Sequence, residues 1–350
     1  MFLSAAERVY GVLHRGLLSR LPEARAVALG QALLRAMPVA ALPRLALDDP
    51  RLAVDLAGVR LPNPVILSSM YYDPAILLKV MALGFGAVTT KSITVNPRPG
   101  HPEPNLARIT TPEGPGFVNC NGFRNPGLVA FQATLRELRR RRPLIVSVAG
   151  ESPEEYRRLV EELEGLADLV EVNISSPNTR LVYELSASPA RVRALLGEVR
   201  AATRRPVIVK LSPDYARENR EAILPAVDDA GIDVVNFGNT RRVAHPGLSQ
   251  DAGGLSGPPL FPDVLATIRE FRRALPPRIR LIATGGIDSP AKAVDAIEAG
   301  ADAVSYFTAF ITRGPTLPRR IGEGILAALE NRGLRHVSEL RGGAALWGGA

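Results

Sequence analysis

LIATGGIDSPAKAVDAIEAGADAVSYFTA, residues 281–309, contains one complete structural unit. An apolar run, LIAT, breaks at Gly285 and Gly286. PAKAVDAIEAG follows with apolar residues at helical spacing, and AVSY returns to the apolar run. Strand, turn, helix and strand in that order is the repeating unit of parallel sheets. The same alternation extends back through the chain as VILSS (65–69), AVTTKSI (87–93), LIVSVAG (144–150), LVEVNIS (169–175), VIVKLSP (207–213) and VVNFGNT (234–240), which with LIATGG (281–286) and AVSYFTA (303–309) makes eight runs. Several are apolar at nearly every position, as strands covered on both faces are. Eight β-then-α units predict an α/β fold of the TIM (β/α)8 barrel type, and the pattern also accommodates a doubly wound open sheet.

A chain of 350 residues with charges of both signs can bury one large core. Its formal charge of +8 suits an acidic ligand, a nucleic acid or an anionic membrane surface without choosing among them. The basic stretch RELRRRRP (136–143) reads as the solvated end of a helix, so no nucleic-acid partner is expected. Cys120 is the only cysteine, which excludes an internal disulfide and a cysteine-held iron–sulfur cluster and suits a reducing cytosol. No apolar run approaches the roughly 20 residues of a membrane span, and Arg8 and Arg15 interrupt the only stretch resembling a signal-peptide core.

Residues 1–45 read differently from the rest. Val9, Leu13 and Leu17, and then Leu29, Leu33 and Met37, recur at helical spacing, which predicts two amphipathic helices ahead of the barrel. Pro22 starts the second, and Pro38 and Pro43 stop it. The expected organisation is a helical segment over 1–45, a barrel over 46–340 and a flexible tail over 341–350.

In a barrel of this type the chemistry sits at the carboxyl ends of the strands. There the runs turn polar: Lys91 and Ser92, then Asn173, Ser175 and Ser176, Lys210, Asn239 and Thr240, and Gly285 and Gly286. The long segment between the second and third runs, RPGHPEPNLARI (98–109) and FVNCNGFRNPG (117–127), is expected to shape a pocket. Gly285 and Gly286, the helix from Pro290, and Phe307 and Thr308 resemble a phosphate site, with GGLSGPPL (253–260) as a further glycine-rich loop. Lys91 and Lys210 on buried strands each need an anion, either a neighbouring carboxylate or an electron-rich ring such as reduced flavin. Asn119, Asn173, Asn178 and Asn239 form a set of amides able to read a flat ring with alternating carbonyl and NH groups, although singly each could be a cap or turn former. No cluster suggests a metal. The four histidines lie away from the strand ends, so Ser176 suits a proton relay better than an acyl nucleophile.

NISSPNT (173–179), NGFRNPG (121–127), VIVKLSPD (207–214), GGLSGPPL and GGIDSPAKA (285–293) give the chain a resemblance to the dihydroorotate dehydrogenases over nearly its whole length. The resemblance implies an FMN enzyme of pyrimidine biosynthesis that oxidises dihydroorotate to orotate. Ser176 then corresponds to the general base at C5 while C6 gives hydride to the flavin, and the proton leaves through Thr179 and the neighbourhood of Phe123. Asn119, Gly122, Asn173, Asn178, Asn239, Thr240 and Lys91 correspond to substrate ligands. Ser69, Lys91, Ser92, Ser147, Asn173, Lys210, Gly238, Gly257, Gly286, Phe307 and Thr308 correspond to the surroundings of FMN.

A serine base resembles the membrane-associated class that reduces quinone, as do the two amphipathic helices, which in that class lie on the bilayer over a quinone tunnel. Arg8, Arg15, Arg20, Arg25 and Arg35 outnumber Glu7 and Glu23 there, which favours anionic lipid and a peripheral site on the cytoplasmic side of the membrane. The alternatives are a helical cover over the closed end of the barrel and a cytoplasmic location. Tyr72 in SSMYYDP (68–74) stands where that class has a substrate lysine, and Ser147 where it has an FMN-binding asparagine. TTKSIT (89–94) and VSVAG (146–150) resemble the cytosolic class, so Lys91 takes over the missing charge. RLVYELSAS (180–188) lacks the Gly-Leu-Arg usual after the base. Two other readings keep a flavin barrel: a different substrate held by Tyr71 and Tyr72, or electrons passed to a partner subunit. A basic scaffold without catalysis has only the net charge behind it.

Overall fold

The computed structural model describes residues 2–175 and 188–341. All eight runs form strands: β1 (Val65–Tyr71), β2 (Ala87–Thr90), β3 (Leu144–Val148), β4 (Leu169–Asn173), β5 (Val207–Leu211), β6 (Val234–Phe237), β7 (Arg280–Thr284) and β8 (Ala303–Tyr306). Each pairs in parallel with the next, and β8 returns to β1 with Val304 opposite Val65, so the sheet is a closed barrel and the open alternative falls away. The outer helices start where the sequence supplies caps. Asp73, Ser152 and Ser289 each accept a hydrogen bond from a first-turn amide, and each is followed by a proline whose missing N–H costs nothing at that position.

The barrel interior is divided along its axis. A hairpin of Val54–Leu56 and Val59–Leu61 closes the amino-terminal end, where Leu56 and Leu61 pack on Ile66, Ile145, Leu169, Ile208, Val234 and Ile282. Two residues further along the same strand faces the interior turns polar, with Ser147, Glu171, Lys210, Asn236 and Thr284 all buried. A polar layer this deep needs internal partners, because it has no water to turn to.

The insertion after β2 and the segment after β6 form one antiparallel sheet of four strands, in the order Arg241–Ala244, Ala252–Ser256, Gly114–Asn119 and Leu106–Thr111. This corrects the reading of GGLSGPPL as a loop: Gly253 to Ser256 lie in a strand. The glycines serve close approach, since a Cβ on Gly254 would stand 2.0 Å from the Thr240 hydroxyl and one on Gly253 2.7 Å from the Asn119 carbonyl oxygen.

The N-terminal helices are α1 (Phe2–Gly16) and α2 (Glu23–Ala36). They pack near the carboxyl ends of the strands, α1 on the helix after β8 and α2 on the strand Leu106–Thr111, while the hairpin at 54–61 closes the opposite end. The cover over the closed end is therefore not what they form. Polar contacts fasten them: the Tyr10 hydroxyl donates to the Ile311 carbonyl, Glu7 pairs with Arg320, and the Arg108 guanidinium donates to the carbonyls of Leu18, Ser19 and Leu21 between the helices. Arg35 is bound to Asp73 at 2.7 Å, which removes it from the cations available to lipid. Facing outward are Val9, Val12, Leu17, Val27 and Leu33, with Val9 69% and Val12 68% exposed.

Candidate active site

Ser92, just past β2, is the centre of a hydrogen-bonded group at the barrel mouth. Its hydroxyl lies 2.9 Å from Ser147 Oγ and 3.4 Å from Ser69 Oγ, and accepts from Asn173 Nδ2 at 2.9 Å. Asn239 Nδ2 donates to Asn173 Oδ1 at 3.3 Å and to Ser175 Oγ at 3.1 Å, and Asn239 Oδ1 accepts from the Thr240 amide at 2.8 Å. Residues from β1, β2, β3, β4 and β6 thus meet in one network. Ser147, which replaces the asparagine of the resemblance, is fully buried in it. The buried Tyr156 hydroxyl donates to the Asn173 carbonyl at 2.9 Å, and burial pushes its pKa up, so it stays a donor. That bond fixes the chain where β4 ends, next to Ser175. Ser176, Asn178 and Thr179 lie outside the described residues.

The sheet above the mouth brings in Asn119, which donates to the Gly254 carbonyl at 3.4 Å and accepts from Asn121 Nδ2 at 3.2 Å. Gly122 and Phe123 both have left-handed backbones, at φ 61° and 54°, an uncommon conformation for phenylalanine. Asn125 holds this turn, with Nδ2 donating to the Phe123 carbonyl and to Thr94 Oγ1 and Oδ1 accepting from the Gly127 amide. The sequence reading gave Asn125 no role, although an asparagine followed by Pro-Gly is a turn signal.

Lys91 leaves β2 with its amide bonded to the Tyr71 carbonyl at 2.8 Å, and among the described residues its ammonium has no hydrogen-bond or ion-pair partner. Burial, helped by the charge of Arg124, lowers its pKa to about 8. Lys210 differs. The neighbouring carboxylate left open as an alternative is present, with Glu171 Oε1 3.7 Å from Lys210 Nζ, and both side chains are buried. Glu171 Oε2 accepts from Asn236 Nδ2 at 2.7 Å, and Asn236 Oδ1 accepts from Thr284 Oγ1 at 2.6 Å. Glu171, Asn236 and Thr284 were all missed in the sequence. The available signal was a polar residue two places after an inward apolar one, as in LVEVN and VVNF.

At the far side of the mouth Gly286 has φ 71°, and a Cβ there would stand 2.6 Å from the Phe261 amide nitrogen. Gly238 approaches β7 so closely that its Cβ would lie 1.8 Å from the Thr284 carbonyl oxygen. Gly257 sits against Thr308, whose hydroxyl lies 3.1 Å from Ser256 Oγ, and Phe307 meets the Tyr71 ring edge-on at 5.4 Å. Lys292 donates to the Gly286 carbonyl and pairs with Asp288 at 2.8 Å, which ties the glycine turn to the following helix. The residues present fit FMN. A buried ammonium with no hydrogen bond among the described residues can meet an electron-rich ring, and the turn at the end of β7 can take a phosphate group.

The family model for dihydroorotate dehydrogenase matches residues 51–329. The dihydroorotate dehydrogenase (quinone) of Roseiflexus castenholzii is 35% identical over 365 residues, covering 97% of this chain and 98% of that protein. The catalytic subunit of dihydroorotate dehydrogenase B (NAD(+)) of Thermococcus kodakarensis is 34% identical over 302 residues, covering 83% of this chain and 97% of that protein. Among solved structures, DHODH from Eimeria tenella in complex with ferulenol has a TM-score of 0.82 at 25% identity, covering 94% of this chain and 98% of that one.

Proposed function

The chain belongs to the dihydroorotate dehydrogenase family, and from that membership we propose that it oxidises dihydroorotate to orotate and passes the electrons to a quinone at a membrane surface. Members of the family are FMN-dependent flavoproteins. The observation that carries the reading is the network joining Ser69, Ser92, Ser147, Asn173 and Asn239 beside the buried Lys210 and the half-buried Lys91 at the strand ends. Bound FMN supplies the two-electron oxidant for the C5–C6 bond, with Lys210, Gly286 and Thr308 among the groups that hold it. Asn119, Asn173, Asn178 and Asn239 read the carbonyl and NH edges of the pyrimidine, and Lys91 meets its carboxylate. Ser176 receives the C5 proton and passes it on through Thr179 and the neighbourhood of Phe123. A purified yellow protein whose visible absorption bleaches on anaerobic addition of dihydroorotate is the expected result. Protein that neither holds FMN nor bleaches would end the proposal.

The proposed role of Lys91 carries a pH dependence. Its pKa lies near 8, so the free protein has the ammonium below that pH and loses it above. Orotate is an anion and binds the protonated form, so its Kd should rise about tenfold per unit once the pH is well above 8. Titration of the flavin spectrum with orotate from pH 6 to about pH 10 checks this. Lys91→Met should bind weakly at every pH with a flat profile, and an unchanged profile in that variant would assign the carboxylate to another group.

Quinone as acceptor draws on two observations. The match to the quinone-type relative extends over 97% of this chain against 83% for the NAD(+)-type one, and the family model begins only at residue 51. The outward apolar face on α1, α2 and their connection also suits the surface of a bilayer. No helix of the described residues is long and apolar enough to cross a membrane. The near-equal identity to both types of relative keeps transfer to a partner subunit as the second reading.

A further inference from the structure

We propose that Glu171 sets the charge that Lys210 presents to the bound flavin, so that this carboxylate, rather than the lysine alone, fixes the reduction potential of FMN in this protein. The inference rests on the reading that places Lys210 against FMN. Glu171 is 1% exposed in the middle of β4, and Lys210 is 5% exposed one residue before the end of β5. The flanking residues of β4 are valines, so the carboxylate is not there for packing. A buried ion pair often stabilises a protein less than well-packed apolar residues would, which makes the pair itself the feature to be explained.

The geometry separates charge from hydrogen bonding. Glu171 Oε1 lies 3.7 Å from the ammonium, beyond hydrogen-bond reach, and it is one of the buried side-chain atoms with no hydrogen-bond partner. Among the described residues the ammonium makes no hydrogen bond either. Its N–H groups therefore stay available to a ligand, while the nearby negative charge lowers the positive potential that the ligand feels. The carboxylate is held by a string running away from the lysine: Asn236 Nδ2 donates to Oε2 at 2.7 Å, and Thr284 Oγ1 fixes the amide by donating to its Oδ1 at 2.6 Å. With its oxygen taken by Thr284, the amide can turn only its NH2 toward Glu171.

Two-electron reduction gives the flavin ring negative charge, so a cation beside it raises the potential and a paired anion lowers it again. Glu171→Gln keeps the shape and removes the anion. Its holoenzyme, equilibrated with a reference dye, should favour reduced flavin at least about tenfold more than the wild type, which for a two-electron couple corresponds to about +30 mV. Sulfite gives an independent readout. Its lone pair bonds to ring N5 and the displaced pair leaves negative charge on the ring, so its Kd should fall by a similar factor. Glu171→Asp retains the charge and should stay within about threefold of the wild type. If Glu171→Gln fails to retain FMN, Glu171→Leu tests the same idea: it also removes the anion, and the potential should rise in the same direction. An unchanged or lowered potential in whichever of these variants holds flavin overturns the proposal, as does an aspartate variant that behaves like the glutamine one. None of these measurements uses dihydroorotate, so a failed substrate assignment would appear separately as absent bleaching.

Discussion

Ser176→Ala should remain yellow while its flavin bleaches with dihydroorotate about 10²–10⁴-fold more slowly than the wild type, the span lost when a positioned general base is removed. The two halves of that expectation come from different parts of the barrel. Most groups assigned to FMN, among them Lys210 on β5, Gly286 after β7 and Thr308 after β8, lie on other strands, so retention should not depend on the serine hydroxyl. Proton removal at C5 does depend on it. Ser175, the last described residue before it, is held by Asn239, which also bonds Asn173, and the Tyr156 hydroxyl fixes the Asn173 carbonyl. The chain therefore leaves Ser175, toward Ser176, from a fixed point within the polar network. A free serine is a poor base at neutral pH, so the effect requires a relay that carries the proton onward. Anaerobic stopped-flow that follows the visible absorption of oxidised flavin is the direct measurement. An unchanged bleaching rate would place the base elsewhere. A colourless variant would mean that Ser176 also helps to hold the cofactor.

The barrel was legible because each strand is an apolar run that ends at a polar residue, and both properties survive without knowledge of partners. The same simplification hid the polar layer. LVEVN and VVNF read as apolar runs, and only the pairing of β4 with β5 and of β5 with β6 shows that Glu171, Lys210 and Asn236 share one interior. Lys210 was legible as a buried cation in need of an anion, but its partner depends on strand neighbours that a single sequence does not state. GGLSGPPL misled because glycine serves turns and close strand contacts alike, and here Gly253 and Gly254 make room for Asn119 and Thr240. The helical pair was legible from its period, whereas its place near the barrel mouth follows from Arg108, Tyr10 and Glu7, whose partners lie far away in sequence.

That placement makes the helical pair separable from the chemistry. The cut belongs after Ala36, where the second helix ends, and not at residue 45, because Leu42 and Leu45 then stay in the core and Leu34 is the only described member of it removed. In protein lacking residues 1–36, flavin reduction by dihydroorotate should stay within about twofold of the full chain, since no residue of the helical pair is among those assigned to substrate or FMN. Turnover with a long-chain quinone in vesicles should fall by at least about tenfold, since a surface that gathers and orients the acceptor is gone. Loss of vesicle binding should accompany it: Val9, Val12, Leu17, Val27 and Leu33 supply the apolar face, and the exposed Arg8, Arg15, Arg20 and Arg25 the attraction to anionic lipid. A small water-soluble dye that accepts electrons should be reduced equally well by both forms. Full quinone turnover by the truncated protein would remove these helices from acceptor delivery. A full-length protein inert toward ubiquinone and menaquinone analogues would instead shift the reading to a partner subunit, the arrangement named for the Thermococcus relative.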